Sequence, residues 1–169
     1  TEADTDAVTI DHLGGVGDPT RGSLDGSHVY ADNGLYQVTV TVTDDDGGSD
    51  SQVFAVTVNN VAPLLTSVDP TADYTVNEDE RLAITDIVTF EDPGFSRIVS
   101  STLETFSYDV DWGDGTRTST GRATVDSSGS EGATTVGSVD ARHTYIDSGL
   151  YTVTVTVTDD DGGDHACQY

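Results

Sequence analysis

The sequence predicts an all-β protein, a β-sandwich written as tandem repeats. Three observations carry that prediction. The string "GLYQVTVTVTDDDGG" (Gly34–Gly48) returns almost unchanged as "GLYTVTVTVTDDDGG" (Gly149–Gly163), 115 residues later. Inside each copy Val and Tyr alternate strictly with Thr, the period-two pattern of a half-buried strand. No window shows a 3.6-residue period, and the excess of Thr, Ser, Asp and Gly with regular Val suits exposed antiparallel sheets.

The elements follow in order. Residues 28–48 match residues 143–163 at 17 of 21 positions, and "GSLDGSHVY" (22–30) resembles "GSVDARHTY" (137–145). A period above 50 residues marks a tandem domain, not a solenoid unit. In copy one, Tyr36, Val38, Val40 and Val42 form the apolar face against Thr39, Thr41 and Thr43. In copy two the same face is Tyr151, Val153, Val155 and Val157, against Thr152, Thr154, Thr156 and Thr158. "DDDGG" ends each strand, because Asp and Gly supply turn conformations. "DSQVFAVTVNN" (50–60) reads as the antiparallel return strand. "VAP" (61–63) reads as a linker, with Pro63 blocking continuation of the strand. Copy two continues through "RLAITDIVTF" (81–90), "EDPG" (91–94), "TFSYDVDW" (105–112) and the tight turn "WGDGT" (112–116). Between Thr116 and Val136 the Ser/Gly/Thr composition predicts a ragged hairpin or loop.

The copies are cut unevenly. Residues 1–62 read as the C-terminal part of one repeat, with its early strands upstream of Thr1. Residues 63–169 read as a second repeat lacking its last strand. The chain contains no Met and is expected to be a segment of a longer precursor. A chain of 169 residues buries roughly 70% of its unfolded surface, enough for a real core.

Charge narrows the partners. Thirty-one acids face six bases, all Arg (21, 81, 97, 117, 122 and 142), for a formal net charge of −25. Such a field repels nucleic acid and anionic membrane surfaces and attracts cations. No apolar run approaches the roughly 18 residues that span a bilayer. With one cysteine, Cys167, no intrachain disulfide can form, and cysteine usage does not reveal the redox compartment.

The candidate chemical groups read mostly as scaffold. Trp112 with Gly113, Asp114 and Gly115 is expected to be a buried anchor on a tight turn with positive φ. His143 and Tyr145, like His28 and Tyr30, precede the long strand, and Tyr151 and Tyr36 open it as a tyrosine corner would. Asp109, Asp111 and Asp114 resemble paired carboxylates of glycoside chemistry. No cleft-forming insertion accompanies them, and no G-x-S-x-G elbow is present. No catalytic or cofactor-binding residue is assigned. Phe90, Phe95, Phe106 and Tyr108 cluster early in copy two, as core or as surface.

At "FEDPG", "YDVDWGDGT" and "HTYIDSGLYTVTVTVTDDDGG" the chain resembles a PKD (polycystic-kidney-disease-type) repeat, an immunoglobulin-like sandwich module. With "VNNVAP" linkers it resembles tandem arrays of large bacterial surface and secreted proteins. The resemblance covers residues 22–63 and 64–169; the 115-residue period is longer than that of the usual module. It implies an extracellular or cell-surface location and a binding or spacer role, without activity. The expected function is a non-catalytic spacer and protein-interaction module. The alternative is a carbohydrate- or protein-binding accessory domain of a secreted hydrolase, favoured by an exposed aromatic row. Expected partners are neighbouring repeats and an extracellular protein or polysaccharide, with no nucleic acid and no membrane insertion.

The acidic loops carry the one ligand expectation. In an immunoglobulin-like sandwich the loop after the penultimate strand shares a pole with the entering linker and with the loop between the second and third strands. Asp159, Asp160, Asp161, Glu91, Asp92, Asn59 and Asn60 are therefore expected to converge on one spot. Calcium takes six to eight oxygen ligands, and these residues supply them, although the spacing is not that of an EF-hand. Calcium that stiffens the junction between repeats is the one cofactor expected; the alternative is a solvated acidic hairpin loop with no cofactor.

Overall fold

A computed structural model describes residues 7–67, 74–98 and 102–169. It divides into two compact units, Thr1–Tyr30 and Ala31–Tyr169. Among the described residues there is no helix.

The first unit holds a short hairpin, β1 (Thr9–His12) and β2 (Arg21–Ser23). Its tip is tied by His12 Nε2 and Asp18 Oδ2, 2.7 Å apart.

The second unit contains β3 (Gly34–Thr43) and β4 (Ser49–Val58), paired in register from Gly34↔Val58 to Thr43↔Ser49. The remaining strands are β5 (Leu64–Ser67), β6 (Arg81–Asp92), β7 (Phe106–Asp111), β8 (Ser119–Arg122), β9 (Thr124–Ser127), β10 (Thr135–Thr144), β11 (Thr154–Asp159) and β12 (Asp164–Gln168). They form two four-stranded antiparallel sheets, in the orders β5-β6-β10-β9 and β12-β11-β7-β8.

The two sheets face each other across one core. Ile84, Val88, Phe90, Val139 and Ala141 come from the first; Phe106, Val110, Val155 and Val157 come from the second. Val88, Phe90, Val110, Val155 and Val157 are fully buried, which is worth roughly 1.5–3 kcal/mol for each side chain. The alternating Val of β11 is thus the inner face, as its period predicts. Phe95 is buried too, and Tyr108 packs partly buried against the core.

Two expectations are corrected. Residues 116–136 are neither a hairpin of their own nor a ragged loop: β8 and β9 lie there, edge strands of two different sheets. Their faces are mostly exposed, so they carry no apolar alternation to detect. In copy one the apolar face is only half-buried, and Val42 is exposed. β3 and β4 form a two-stranded sheet, and among the described residues their apolar side chains do not join the core cluster that buries Val155 and Val157.

The 115-residue offset is kept in the backbone pairing. Thr9↔Ser23 and Ile10↔Gly22 in β1–β2 recur as Thr124↔Ser138 and Val125↔Gly137 in β9–β10. The bridge Gly15↔Asp18 recurs as Ser130↔Ala133. Thr39↔Val53 in β3–β4 recurs as Thr154↔Gln168 in β11–β12.

Candidate functional site

The pole of the sandwich where β6 ends and the linker enters gathers the acids. The final residue of β6, Asp92, is only 2% exposed because strand alternation turns it inward beside Phe90. Its Oδ1 accepts the Gly94 amide at 2.7 Å, closing the turn. Its Oδ2 is buried and has no hydrogen-bond partner among the described residues. That is an unusual cost, since burying an unpaired polar atom is unfavourable by about 1–3 kcal/mol.

Glu104 stands next to Asp92 across Gly94. A Cβ at Gly94 would run into the Glu104 carboxylate and come within 2.9 Å of Asp92 Oδ1, so a larger residue there would displace the Glu104 side chain. Asp160 approaches the same place: its Oδ1 accepts the Thr105 amide at 3.2 Å, and its charge bears on the Glu104 carboxyl. The charge of Asp161 likewise bears on Asp32, from the corner preceding β3.

Asp159 is buried at the end of β11. Its Oδ1 accepts the amides of Asp161 (3.0 Å) and Gly163 (2.7 Å), and its Oδ2 accepts Nδ2 of Asn60 at 2.8 Å. Asn60 therefore turns its amide nitrogen, not its oxygen, to the loop. A Cβ at Gly163 would sit 2.6 Å from Asp159 Oδ2 and 2.7 Å from Asn60 Nδ2.

The crowding shows in the proton affinities. Burial, and then the charges of Asp160 and Asp92, push Glu104 up to about 8. Burial pushes Asp92 up to about 6, against the pull of the Gly94 amide and with help from Asp159, Asp160 and Asp161. Burial and the charge of Asp161 raise Asp32.

Of the seven residues expected at this pole, Asp92, Asp159, Asp160, Asp161 and Asn60 come together. Glu91 is exposed on the opposite face of β6, across from Leu64 and Val136. Asn59 is exposed, and no hydrogen bond among the described residues ties it to the group. Glu104 and Asp32 join it unanticipated. Glu104 arrives by the path of the segment before β7, which no motif marks. Asp32 arrives across the repeat junction, where the Phe95 amide donates to the Ala31 carbonyl at 3.1 Å. Among the described residues, no group of three or more His, Cys, Asp or Glu side chains stands ready-made to hold a metal ion.

The opposite pole is scaffold. Trp112 is 1% exposed, donates Nε1 to Ser119 Oγ at 2.9 Å and stacks on His143 with centroids 4.9 Å apart. Gly113 and Gly115 both have φ of +75°, which explains the glycines of the turn. The Tyr145 hydroxyl donates to the Trp112 carbonyl at 3.2 Å, and the Tyr151 hydroxyl to the Asp147 carbonyl at 2.9 Å. Asp114 turns away from Asp109 and Asp111 to meet His143. Asp111 Oδ1 closes the turn on the Gly113 amide, while Asp109 is exposed on β7. The three acids do not form one centre.

No helix among the described residues is long and apolar enough to cross a membrane. A family model described as "PKD domain" matches residues 3–58 and 67–169. No curated protein matches the chain.

Proposed function

This chain belongs to the PKD domain family, and from that premise we propose that it is a spacer and protein-interaction segment of an extracellular or cell-surface protein, stiffened by calcium at the junction of its repeats. The family's modules are non-catalytic β-sandwiches. Residues 1–62 are read as the later part of one repeat and residues 63–169 as the next. Partners are neighbouring repeats and an extracellular protein or polysaccharide.

The observation that carries the calcium reading is Asp92 Oδ2, a buried oxygen without a donor, beside Glu104, Asp159, Asp160 and Asp161. Carboxylates so gathered repel by about 1 kcal/mol per pair at 4 Å in water, and more in a lower dielectric. A hard divalent cation reverses that sign and accepts oxygen ligands in flexible geometry. Burial and the charge of Asp160 raise Glu104, and burial and the charge of Asp161 raise Asp32, so both carboxyls hold their protons more tightly, and a cation would take the place of that proton. Because Asp32 and Asn60 flank the hairpin β3–β4, an ion there couples that hairpin to the sandwich.

No observation favours the accessory-domain alternative. Among the described residues the exposed aromatics Phe54 and Tyr74 lie on separate segments and form no row.

Calcium titration against the thermal midpoint tests the reading. Affinity is expected on the order of 10⁻⁴–10⁻³ M, as in extracellular modules, and binding to the folded state alone raises the midpoint by mass action. A shift no larger than that given by sodium chloride of equal ionic strength reduces the acids to a screened surface.

A further inference from the structure

The corner between β10 and β11 has a twin. Ala31, Asp32 and Tyr36 correspond to Ile146, Asp147 and Tyr151 at the 115-residue offset. The Tyr36 hydroxyl donates to the Asp32 carbonyl at 2.9 Å, and the Tyr151 hydroxyl to the Asp147 carbonyl at 2.9 Å. The two corners share the Tyr-hydroxyl to Asp-carbonyl bond but have opposite surroundings. Ala31 is 7% exposed, its carbonyl takes the amide of buried Phe95, and Asp32 reaches Asp161. Ile146 is 70% exposed, and no donor among the described residues reaches its carbonyl.

We infer that the Ile146–Asp147 corner is the docking surface for the acidic pole of a following repeat of this same kind, with the Ile146 carbonyl taking the amide of that repeat's Phe95 as the Ala31 carbonyl takes the Phe95 amide here. The inference rests on the spacer reading and gives that reading its contact. The occupant follows from an interface already present in the molecule: the same corner, one repeat earlier, is buried against that pole. Both corners offer an apolar residue followed by Asp, so the key contact is a main-chain carbonyl plus an apolar side chain, and Asp147 would join the next carboxylate group as Asp32 joins this one. A contact between different poles is heterologous and extends head to tail instead of closing.

The test lengthens the full chain by repeating residues 55–169 after Tyr169, since the offset places Ala55 next in phase. Amide exchange is read in saturating calcium at Phe95 and at the Phe95 of the added repeat. Both amides are expected to be protected, and Ile146→Asp should speed exchange on the order of tenfold at the added one alone. Ile146→Ala, which copies Ala31, should keep the protection. In the original chain Ile146→Asp should leave the thermal midpoint unchanged, because the corner is exposed there. Protection at Phe95 without protection in the added repeat overturns this inference and leaves the spacer reading standing. Rapid exchange at both sites overturns both.

Discussion

His143 Nε2 lies 2.7 Å from Asp114 Oδ2, with the two side chains only 13% and 10% exposed. The pair ties the "WGDG" turn of one sheet to the last residues of β10 in the other, under the stacked Trp112 ring. Asp114 also accepts the amide and the hydroxyl of Thr116, at 3.0 and 2.6 Å. Asp114→Ala strips three donors of their acceptor and is expected to cost about 1–3 kcal/mol in chemical unfolding. An unchanged unfolding midpoint would mean that the turn is held by its glycines alone.

The same carboxyl sets an acid limb. Burial works to raise it, but the bonds from Thr116 and His143 win and hold Asp114 down to about 2, against an ordinary 3.8. A depressed acid contributes stability that is present above its unfolded value and is lost as pH falls through its folded one. The stability difference between the parent and Asp114→Asn should therefore shrink as pH is lowered from about 4 to about 2. A difference constant over that window excludes the assignment.

The acidic pole behaves in the opposite sense. Asp92 and Glu104 are raised, from 3.8 and 4.5 to about 6 and about 8. A raised acid favours folding below its unfolded value and loses that contribution as pH climbs through the folded one. In chelator, the thermal midpoint should decline between about pH 4 and pH 8, and Asp92→Asn or Glu104→Gln should flatten the decline. Calcium binds the deprotonated carboxylates, so its stabilising shift should grow over the same window. A calcium shift that is flat with pH would detach the ion from these two groups.

How much of this is legible in the sequence depends on the range of the contacts. The alternation in β11, the tyrosine corner and the repeat are local or periodic, and the structure keeps all three. The convergence of Asp92 with Asp159–Asp161 follows from sandwich topology alone. Glu91 departs from it because "EDPG" looks like a wholly exposed turn, whereas strand alternation persists to Asp92 and sends the two acids to opposite faces. Glu104 and Asp32 leave no signal, since their positions depend on the path of a loop and on the seating of one repeat against another. The His143–Asp114 pair is legible only as two separate scaffold motifs.

Gly137 gives a packing prediction. A Cβ there would collide with the Phe90 ring and lie 2.5 Å from the Thr124 carbonyl oxygen, both parts of the sheet and its core. Gly137 sits opposite Phe90 in the β6–β10 ladder and opposite Val125 in β9. Neither neighbour can yield without moving a strand. Gly137→Ala is expected to destabilise by about 1–3 kcal/mol, by overpacking. A neutral effect in thermal unfolding would show that β9 is free to shift outward.

The two "DDDGG" loops supply an internal control for the cation. Asp44 Oδ1 accepts the amides of Asp46 and Gly48 at 3.1 and 2.6 Å, the same closure that Asp159 makes with Asp161 and Gly163. Loop chemistry is therefore equal in the two copies. The surroundings differ: only the second loop has Asn60 on its first Asp and Asp92, Glu104 and Asp32 about it. If three adjacent Asp on a turn sufficed to bind calcium, both loops would contribute to the thermal shift. If the buried Asp92 oxygen and its neighbours are required, only the second would. Changing Asp44, Asp45 and Asp46 together to Asn is expected to leave the calcium shift intact. The same change at Asp159, Asp160 and Asp161 should abolish it, and Asp92→Asn should weaken the apparent affinity at least tenfold, about 1.4 kcal/mol. Equal losses from the two triple variants would assign the shift to general acidity and remove the case for a junction site.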